Sequence, residues 1–452
     1  MRIIIVGDGK VGHTLMKELS QEGHDIVIID NNIEVVEKSL NTYDIMAIQG
    51  NGASYHVLKE AEADKADLLI AATSSDELNM LSCLIAKKIG AKRTVARIRN
   101  PEYSEQLFIM REELGLNMAI NPEYSAAKEI SRVIRFPSAQ KIETFSRGKA
   151  ELVQILVEKG SSLDGQPLLT IGQRFKSKIL ICAIERGDKI IIPKGDVVLQ
   201  AGDEIYITAS AGQVNTFVRN AGILKEKIKS VMIAGGGRIS YYLAKMLEGA
   251  GIDIKIIEKD YKRATVLSEE LPEVMIIHGD GTNHDLLLEE GINDTDAFVA
   301  LTGNDEENII VSMFASNHEV RKIITKVNNL DLAHLLDEYL LDTVISPRYI
   351  TANQIVQYVR ALQNSMGSNV QTLHRIINEQ VEVLEFSVKI NHDFLGIKLK
   401  DLDLKDNLLV SSIIRGKNII VPGGEDTIEL NDHVIIVTTI PYLRDFKDIV
   451  NQ

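Results

Sequence analysis

An α/β protein is predicted, in which two parallel-sheet domains alternate with two small α+β domains along one chain. Three observations predict it. Short apolar runs ("RIIIVG", "DIVIID", "DLLIAAT") alternate with amphipathic stretches such as "HTLMKELSQEG" and "DELNMLSCLIAKKIG". Continuous apolar strands between amphipathic helices imply a parallel sheet covered on both faces. The first run opens directly into a glycine-rich loop followed by a helical pattern, and the second half of the chain repeats the first.

The repeat defines the domains. "IIIVGDGKVGHTLMKEL" (3–19) aligns with "VMIAGGGRISYYLAKML" (231–247), and "DIVIID" (25–30) with "DIKIIE" (253–258). "DLLIAATSSDELN" (67–79) aligns with "DAFVALTGNDEEN" (296–308), and "INPEYSAAKEI" (120–130) with "ISPRYITANQI" (345–355). Downstream, "ICAIERGDKIIIPKGDVVLQAGDEIYI" (181–207) aligns with "SSIIRGKNIIVPGGEDTIELNDHVIIV" (411–437). The order is therefore A–B–A′–B′, with expected limits 1–124, 144–225, 228–350 and 370–452. Each A unit reads as βαβαβ built on five apolar runs; each B unit has alternating strand signals and no glycine loop. The stretch "PEYSAAKEISRVIRF" (122–136) places Ala126, Ala127, Ile130, Val133 and Ile134 on one helical face. It reads either as a helix closing on its own sheet or as a crossover helix buried on a partner domain.

Within A, Gly7, Asp8, Gly9, Lys10, Val11 and Gly12 form a GxGxxG loop between strand and helix. In that frame the glycines provide a tight turn, close backbone approach to a pyrophosphate, and close helix–strand packing, which makes the unit Rossmann-like. The helix N-terminus offers free N–H groups to phosphates. Asp30 ends the second strand 18 residues after Gly12. A carboxylate there accepts from ribose hydroxyls and repels a 2′-phosphate, so NAD(H) or ATP/ADP is expected over NADP(H). In A′ the matching loop is Gly235, Gly236, Gly237, Arg238, Ile239 and Ser240, and Glu258 ends the second strand. Ser240 takes the packing position, where a small side chain fits; the second loop reads as a competent site, with a structural remnant as the alternative. Further strand-end pairs are Asn51 with Asp280, and Thr73–Ser74 with Thr302–Gly303. They read equally as ligand contacts and as turn or cap residues. Arg97 and Lys326 end the fifth strands at the same crevice and read as phosphate contacts or as ion-pair partners; Lys10 and Arg238 read as phosphate contacts or as solvated side chains.

Composition excludes much else. The net charge of −14 disfavours duplex nucleic acid and direct docking on anionic lipid. No run of eighteen apolar residues occurs, and "RIIIVG" at the start does not read as a signal peptide. Cys83 and Cys182 are too few for a disulfide framework and read as core residues of a cytoplasmic protein. HExxH, GxSxG, the P-loop pattern and zinc-spaced Cys/His clusters are absent from the sequence. No metal site and no catalytic residues are expected. His13 and His278 do not recur in the other copy and read as surface residues.

Four blocks in fixed order, "VGDGKVG", "IID", "GNGAS" and "ATSSDELN", followed by "PKGDVVLQAGDEIYI", resemble the RCK (regulator of K⁺ conductance) module. That module joins a nucleotide-binding KTN domain to an RCK C-terminal domain. Tandem RCK modules in one chain resemble the regulatory subunit of Trk-type potassium uptake systems. The resemblance implies a ring, expected as a tetramer of two-module chains, beneath a membrane K⁺-translocating subunit. It also implies NAD(H) or ATP/ADP as ligand, no turnover, no lipid insertion, and a place at the inner face of the cell membrane. By motif match the first site takes Gly7 to Gly12, Asp30, Asn51, Thr73, Ser74 and Arg97. The second takes Gly235 to Ile239, Glu258, Asp280, Thr302 and Lys326. The competing expectation is an NAD-dependent oxidoreductase with an unrecognised substrate site. Mixing with NADH and candidate oxidants separates the two, since only the second oxidises the nicotinamide.

Overall fold

The structure is a computed structural model. It describes residues 1–103, 106, 111–139, 141–145, 150–187, 189–193, 195–223, 226–329, 342–364, 370–377, 380–416, 418–440, 443 and 445–451. The chain forms two compact units, one of residues 1–131 with 229–356 and one of 132–228 with 357–452.

In the first unit, β1 (Arg2–Val6), β2 (Asp25–Asp30), β3 (Met46–Gln49), β4 (Leu68–Ala71), β5 (Thr94–Arg97) and β6 (Met118–Ile120) form a sheet ordered β3-β2-β1-β4-β5-β6. Every pairing is parallel. The interior strands are apolar throughout because helices cover both faces: Ile3, Ile4, Ile5, Leu68 and Leu69 are all 0% exposed. The strand order reverses between β1 and β4, the place where open α/β sheets bind ligands. The sixth strand is an addition to the five apolar runs read from the sequence. Three residues, with Met118 half-buried and Ala119 exposed, are too few for a pattern to register.

The second copy has the same order, β14-β13-β12-β15-β16-β17. Here β12 is Ser230–Ala234, β13 Asp253–Glu258, β14 Met275–His278, β15 Ala297–Ala300, β16 Lys322–Lys326 and β17 Thr343–Ile345. The glycine loops lead into α1 (Lys10–Gln21) and, in the second copy, into the helix Arg238–Leu247.

The helix Pro122–Arg135 crosses to the other copy. Asn121 Nδ2 donates to Tyr242 Oη at 2.9 Å, and the Tyr124 and Tyr242 rings meet edge-on with centroids 5.4 Å apart. Its counterpart, Pro347–Asn364, reciprocates: Arg348 Nε donates to Thr14 Oγ1 on α1. Thr14 and Tyr242 occupy equivalent positions in the repeat, so the two contacts are related by the duplication. Gln354 Nε2 donates to Ser125 Oγ at 3.1 Å, joining the two crossing helices. Ala126, Ala127, Ile130, Val133 and Ile134 are all buried. Of the two readings of 122–136, the crossover accords with the contacts that its first turn makes to the other copy.

The second unit holds two five-stranded antiparallel sheets, β10-β9-β11-β8-β7 and β18-β19-β22-β20-β21. In the first, β7 is Lys141–Phe145, β8 Ala150–Leu156, β9 Leu180–Arg186, β10 Lys189–Ile191 and β11 Glu204–Ala209. In the second, β18 is Val370–Ile376, β19 Val381–Ser387, β20 Leu408–Arg415, β21 Asn418–Ile420 and β22 His433–Thr438. One apolar core joins Phe145, Leu152, Cys182 and Tyr206 to Val383, Ile414 and Val437. Thr208 Oγ1 donates to the Ser411 carbonyl at 3.0 Å. The α+β expectation holds for the first sheet, which carries helices Leu168–Arg174 and Ala211–Asn220. The second carries only 3₁₀ turns among the described residues, Leu399–Asp401 and Phe446–Ile449. The reason at the first of these is length. Twelve residues (168–179) separate the Pro167 bridge from β9, whereas nine (399–407) separate the Lys398 bridge from β20. Both cysteines are fully buried, and burial pushes the Cys83 thiol up to about 12 and Cys182 higher still, so both are core residues.

Candidate functional site

The first loop is shaped by its glycines. Gly7 sits at φ +95°, where a side chain is strained, and its N–H donates to the Ile29 carbonyl at 2.8 Å. A Cβ on Gly12 would lie 1.9 Å from the Gly7 carbonyl oxygen, so this glycine serves packing of helix on strand. A Cβ on Gly9 would meet nothing within 4 Å, which leaves open the space where a phosphate would approach. Gly12→Ala is therefore expected to destabilise the protein by about 1–3 kcal/mol, as overpacking does; urea unfolding checks it. The second loop solves the same problem differently. Ser240 is fully buried and its hydroxyl donates back to the Gly235 carbonyl, so the loop has opened to admit the side chain.

Asp30 holds the first loop from below. Its Oδ2 accepts from the Asp8 N–H at 2.7 Å and its Oδ1 from the Asn32 N–H at 2.9 Å. Each oxygen keeps a lone pair that a ribose hydroxyl can use. Glu258 repeats the arrangement, accepting from Gly236 N–H at 2.6 Å and Asp260 N–H at 2.7 Å.

The strand-end pairs have structural duties. Asn79, buried in α2 of this crevice (Asp76–Ile89), accepts from Thr73 N–H at 2.9 Å and donates to the Arg97 carbonyl at 2.8 Å. Asn308 does the same between Thr302 and Lys326, at 2.8 and 3.0 Å. The asparagine ending "TSSDELN" and "TGNDEEN" thus ties the fourth strand end to the fifth. Asn51 Oδ1 accepts from Ala53 N–H, and Asp280 Oδ1 from Thr282 N–H, as turn residues do. Hydrogen bonds from Lys259 and Thr282 hold the Asp280 carboxyl down at about 2.

A cavity of about 750 Å³ occupies the strand ends of the first copy. Gly7, Gly9, Lys10, Val11 and Asp30 line it, with Asn51, Thr73, Ser74 and Arg97. The second copy contributes Gly237, Arg238, Ile239, Lys326 and Arg348 to the same walls. Gly235, Gly236, Glu258, Asp280 and Thr302 do not line this cavity and sit on the second copy's own strand-end edge. Five cations therefore face one space: Lys10, Arg97, Arg238, Lys326 and Arg348. Only Asp30 and Glu123 oppose them among its lining residues. Burial lowers the Lys326 ammonium, and the positive charge of Lys10 lowers it further. Burial likewise lowers the Arg97 guanidinium, against the pull of Glu123 3.9 Å away, and Arg238 adds to the depression. Arg97 Nε and Glu123 Oε2 are buried without a hydrogen bond among the described residues. The five clustered cations, Arg97 among them, are stabilised by an anion.

Glu123 and Arg348 were missed by sequence reasoning. They occupy equivalent repeat positions, in "NPEYS" and "SPRYI", with opposite charge. That inversion was visible in the aligned strings; its proximity to the glycine loops was not. His13 is no simple surface residue either, since its Nδ1 lies 3.3 Å from Asp8 Oδ1. His278 conforms, exposed with Nε2 3.2 Å from the Lys259 carbonyl.

The fold and this crevice define a tandem nucleotide-fold protein with two small β domains. The TrkA-N domain model matches residues 3–122 and 231–347, and the TrkA-C domain model 152–222 and 383–451. The chain is 35% identical over 450 residues to a Trk system potassium uptake protein TrkA homolog of Archaeoglobus fulgidus, covering 99% of this chain and 100% of that one. It is 31% identical to the Trk system potassium uptake protein TrkA of Haemophilus influenzae, covering 99% and 97%. Among solved structures it is similar to the GsuK channel bound to NAD, with TM-score 0.64, 18% identity, and 97% of this chain and 77% of that chain covered. The GsuK RCK domain gives the same TM-score of 0.64 with 97% and 92% covered. The chain belongs to the TrkA family of potassium uptake proteins. Among the described residues no helix is long and apolar enough to cross a membrane.

Proposed function

We propose that the chain is a nucleotide-responsive regulatory subunit of a Trk-type potassium uptake system. An adenine nucleotide without a 2′-phosphate, NAD(H) or ATP/ADP, binds the cavity at the first loop. The observation that carries this reading is the single cavity in which Gly9, Asp30 and five cations from both copies converge. A nucleotide fits these residues: the loop leaves its phosphate face open at Gly9 and Gly237, and Asp30 can accept from a ribose. Lys10, Arg97, Arg238 and Lys326 would hold the phosphates. Because both copies supply them, ligand would draw the copies together, and the crossing helices would carry that change onward. The second loop, with Glu258, Asp280 and Thr302, is a further nucleotide site. The domain limits stay at 1–124, 144–225, 228–350 and 370–452. The relatives' names, Trk system potassium uptake proteins, support a membrane K⁺-translocating subunit as partner. Four chains in a ring at the inner membrane face, without chemical turnover, belong to the same proposal.

Ligand that binds only the folded form stabilises it by about 2.7 kcal/mol at a hundredfold excess over Kd. NAD(H) or ADP is expected to raise the melting temperature more than NADP(H) does. Equal shifts with NAD(H) and NADP(H) would remove the role given to Asp30. Light scattering and co-purification from membranes test the ring and its partner; a monomer with no effect on K⁺ flux in vesicles would overturn this function.

A further inference from the structure

Against the first loop, among residues that do not line the cavity, lies a polar cluster that the second loop lacks. The Asp8 side chain is completely buried, at 0% exposure. Its Oδ2 accepts from the Ser39 hydroxyl, which comes from the helix Ile33–Thr42. Its Oδ1 lies 3.3 Å from His13 Nδ1 on the first turn of α1. His13 is about one-third exposed, at 32%, and meets the Tyr43 ring edge-on at 5.7 Å. From the strand end, Asp30 faces the same loop and binds the Asp8 N–H. Burial raises the Asp8 carboxyl, opposed by Ser39 and by the charge of His13, with Asp30 adding to the rise.

In the second copy the three positions are Gly236, Tyr241 and Leu267. They replace the cluster as a set: a Cβ on Gly236 would lie 2.5 Å from Leu267 Cδ1. One chain thus contains a loop backed by a titratable pair and a loop backed by none.

We propose that the Asp8–His13 pair takes up a proton when a phosphate-bearing ligand docks on the first loop, so that this loop binds more tightly as pH falls while the second loop does not. The proposal rests on the nucleotide reading given above. An anion brought to the front of the loop favours the protonated form of every group close behind it. Binding and protonation then strengthen one another by the same factor. His13 and Asp8 balance as imidazolium and carboxylate, so the proton leaves the pair net neutral at the moment the ligand adds its negative charge. Lys326 and Arg97 line the cavity, and burial lowers both.

The probe is NAD⁺, whose pyrophosphate does not titrate near neutral pH. Calorimetric titrations from pH 6.0 to 8.0, in two buffers of different ionisation enthalpy, give affinity and proton uptake together. The wild type is expected to gain about three- to tenfold in affinity per pH unit as pH falls across this range, with up to about one proton taken up. His13→Gln and Asp8→Asn should each flatten the profile, and the triple replacement Asp8→Gly, His13→Tyr, Ser39→Leu should do so with the second loop's own residues. NAD⁺ binding with no pH dependence, or an unchanged slope in His13→Gln, overturns the proton coupling and leaves the nucleotide reading intact. Absence of NAD⁺ and ADP binding at every pH overturns both.

Discussion

Gly9→Val is expected to abolish nucleotide binding at the first loop and to leave the fold intact. Gly9 has φ −72° and ψ −170°, an extended conformation that valine adopts readily. A Cβ there meets nothing within 4 Å, so the substitution causes no clash in the ligand-free protein. Gly9 is the N-cap of α1 and makes no side-chain cap bond. Valine is a poorer N-cap than glycine, but it also restricts the unfolded chain, and the two effects of about 0.5–1 kcal/mol oppose each other. The melting temperature without ligand should therefore move little. The new methyl groups occupy the space where a pyrophosphate must approach the loop amides. A loss of at least about 2.7 kcal/mol, a hundredfold in Kd, is expected by calorimetry. Gly237→Val should weaken the same event as well, because Gly237 lines the first cavity. Undiminished NAD⁺ or ADP affinity in Gly9→Val would show that the ligand does not sit on this loop.

The difference between these two glycines marks what was legible in the sequence. Gly7, Gly9, Gly12 and Asp30 are set by local geometry, a strand end, a turn and a helix start, and local geometry is written in consecutive residues. The duplication was legible for the same reason, since matched blocks keep their spacing. What depends on packing of one copy against the other was not. Arg348 reaches the cavity only because the helix Pro347–Asn364 crosses to α1, and nothing in "SPRYI" states which surface it meets. The even choice over 122–136 had the same root: an apolar face specifies burial, not a partner. His13 reads as surface because it does not recur in the other copy; its contact with Asp8, which is held by Ser39 31 residues away, is not written in consecutive residues. Short strands such as Thr343–Ile345 escaped because three residues cannot display a period.

Ile130→Asp is expected to give the largest loss of stability of any substitution considered. Ile130 is 0% exposed and lies in the helix Pro122–Arg135, whose first turns contact Tyr242 and Gln354 of the other copy. Residues up to Ser131 belong to the first unit and those from Arg132 to the second, so this helix is the chain's own passage between them. Removing a buried isoleucine costs about 2–5 kcal/mol, and burying a carboxyl without a partner adds about 1–3 kcal/mol. Together these approach the whole stability of a typical domain. Ile130→Val, losing one methylene, should cost only about 0.5–1.5 kcal/mol and serves as the control. The pH dependence has a definite sign. Desolvation raises the folded-state pKa of the new carboxyl above its unfolded value. The defect is therefore smallest below the unfolded pKa and grows as pH rises through the folded one. Unfolding in urea should show Ile130→Asp more impaired at pH 8 than at pH 5, while Ile130→Val shows no such trend. If the variant still folds, nucleotide affinity should be largely kept, because Ile130 lies outside the cavity lining. Light scattering should then show weakened assembly, or vesicle flux should no longer respond to nucleotide. An Ile130→Asp protein with wild-type stability, mass and nucleotide-dependent flux would mean that the buried face of this helix carries neither packing nor coupling.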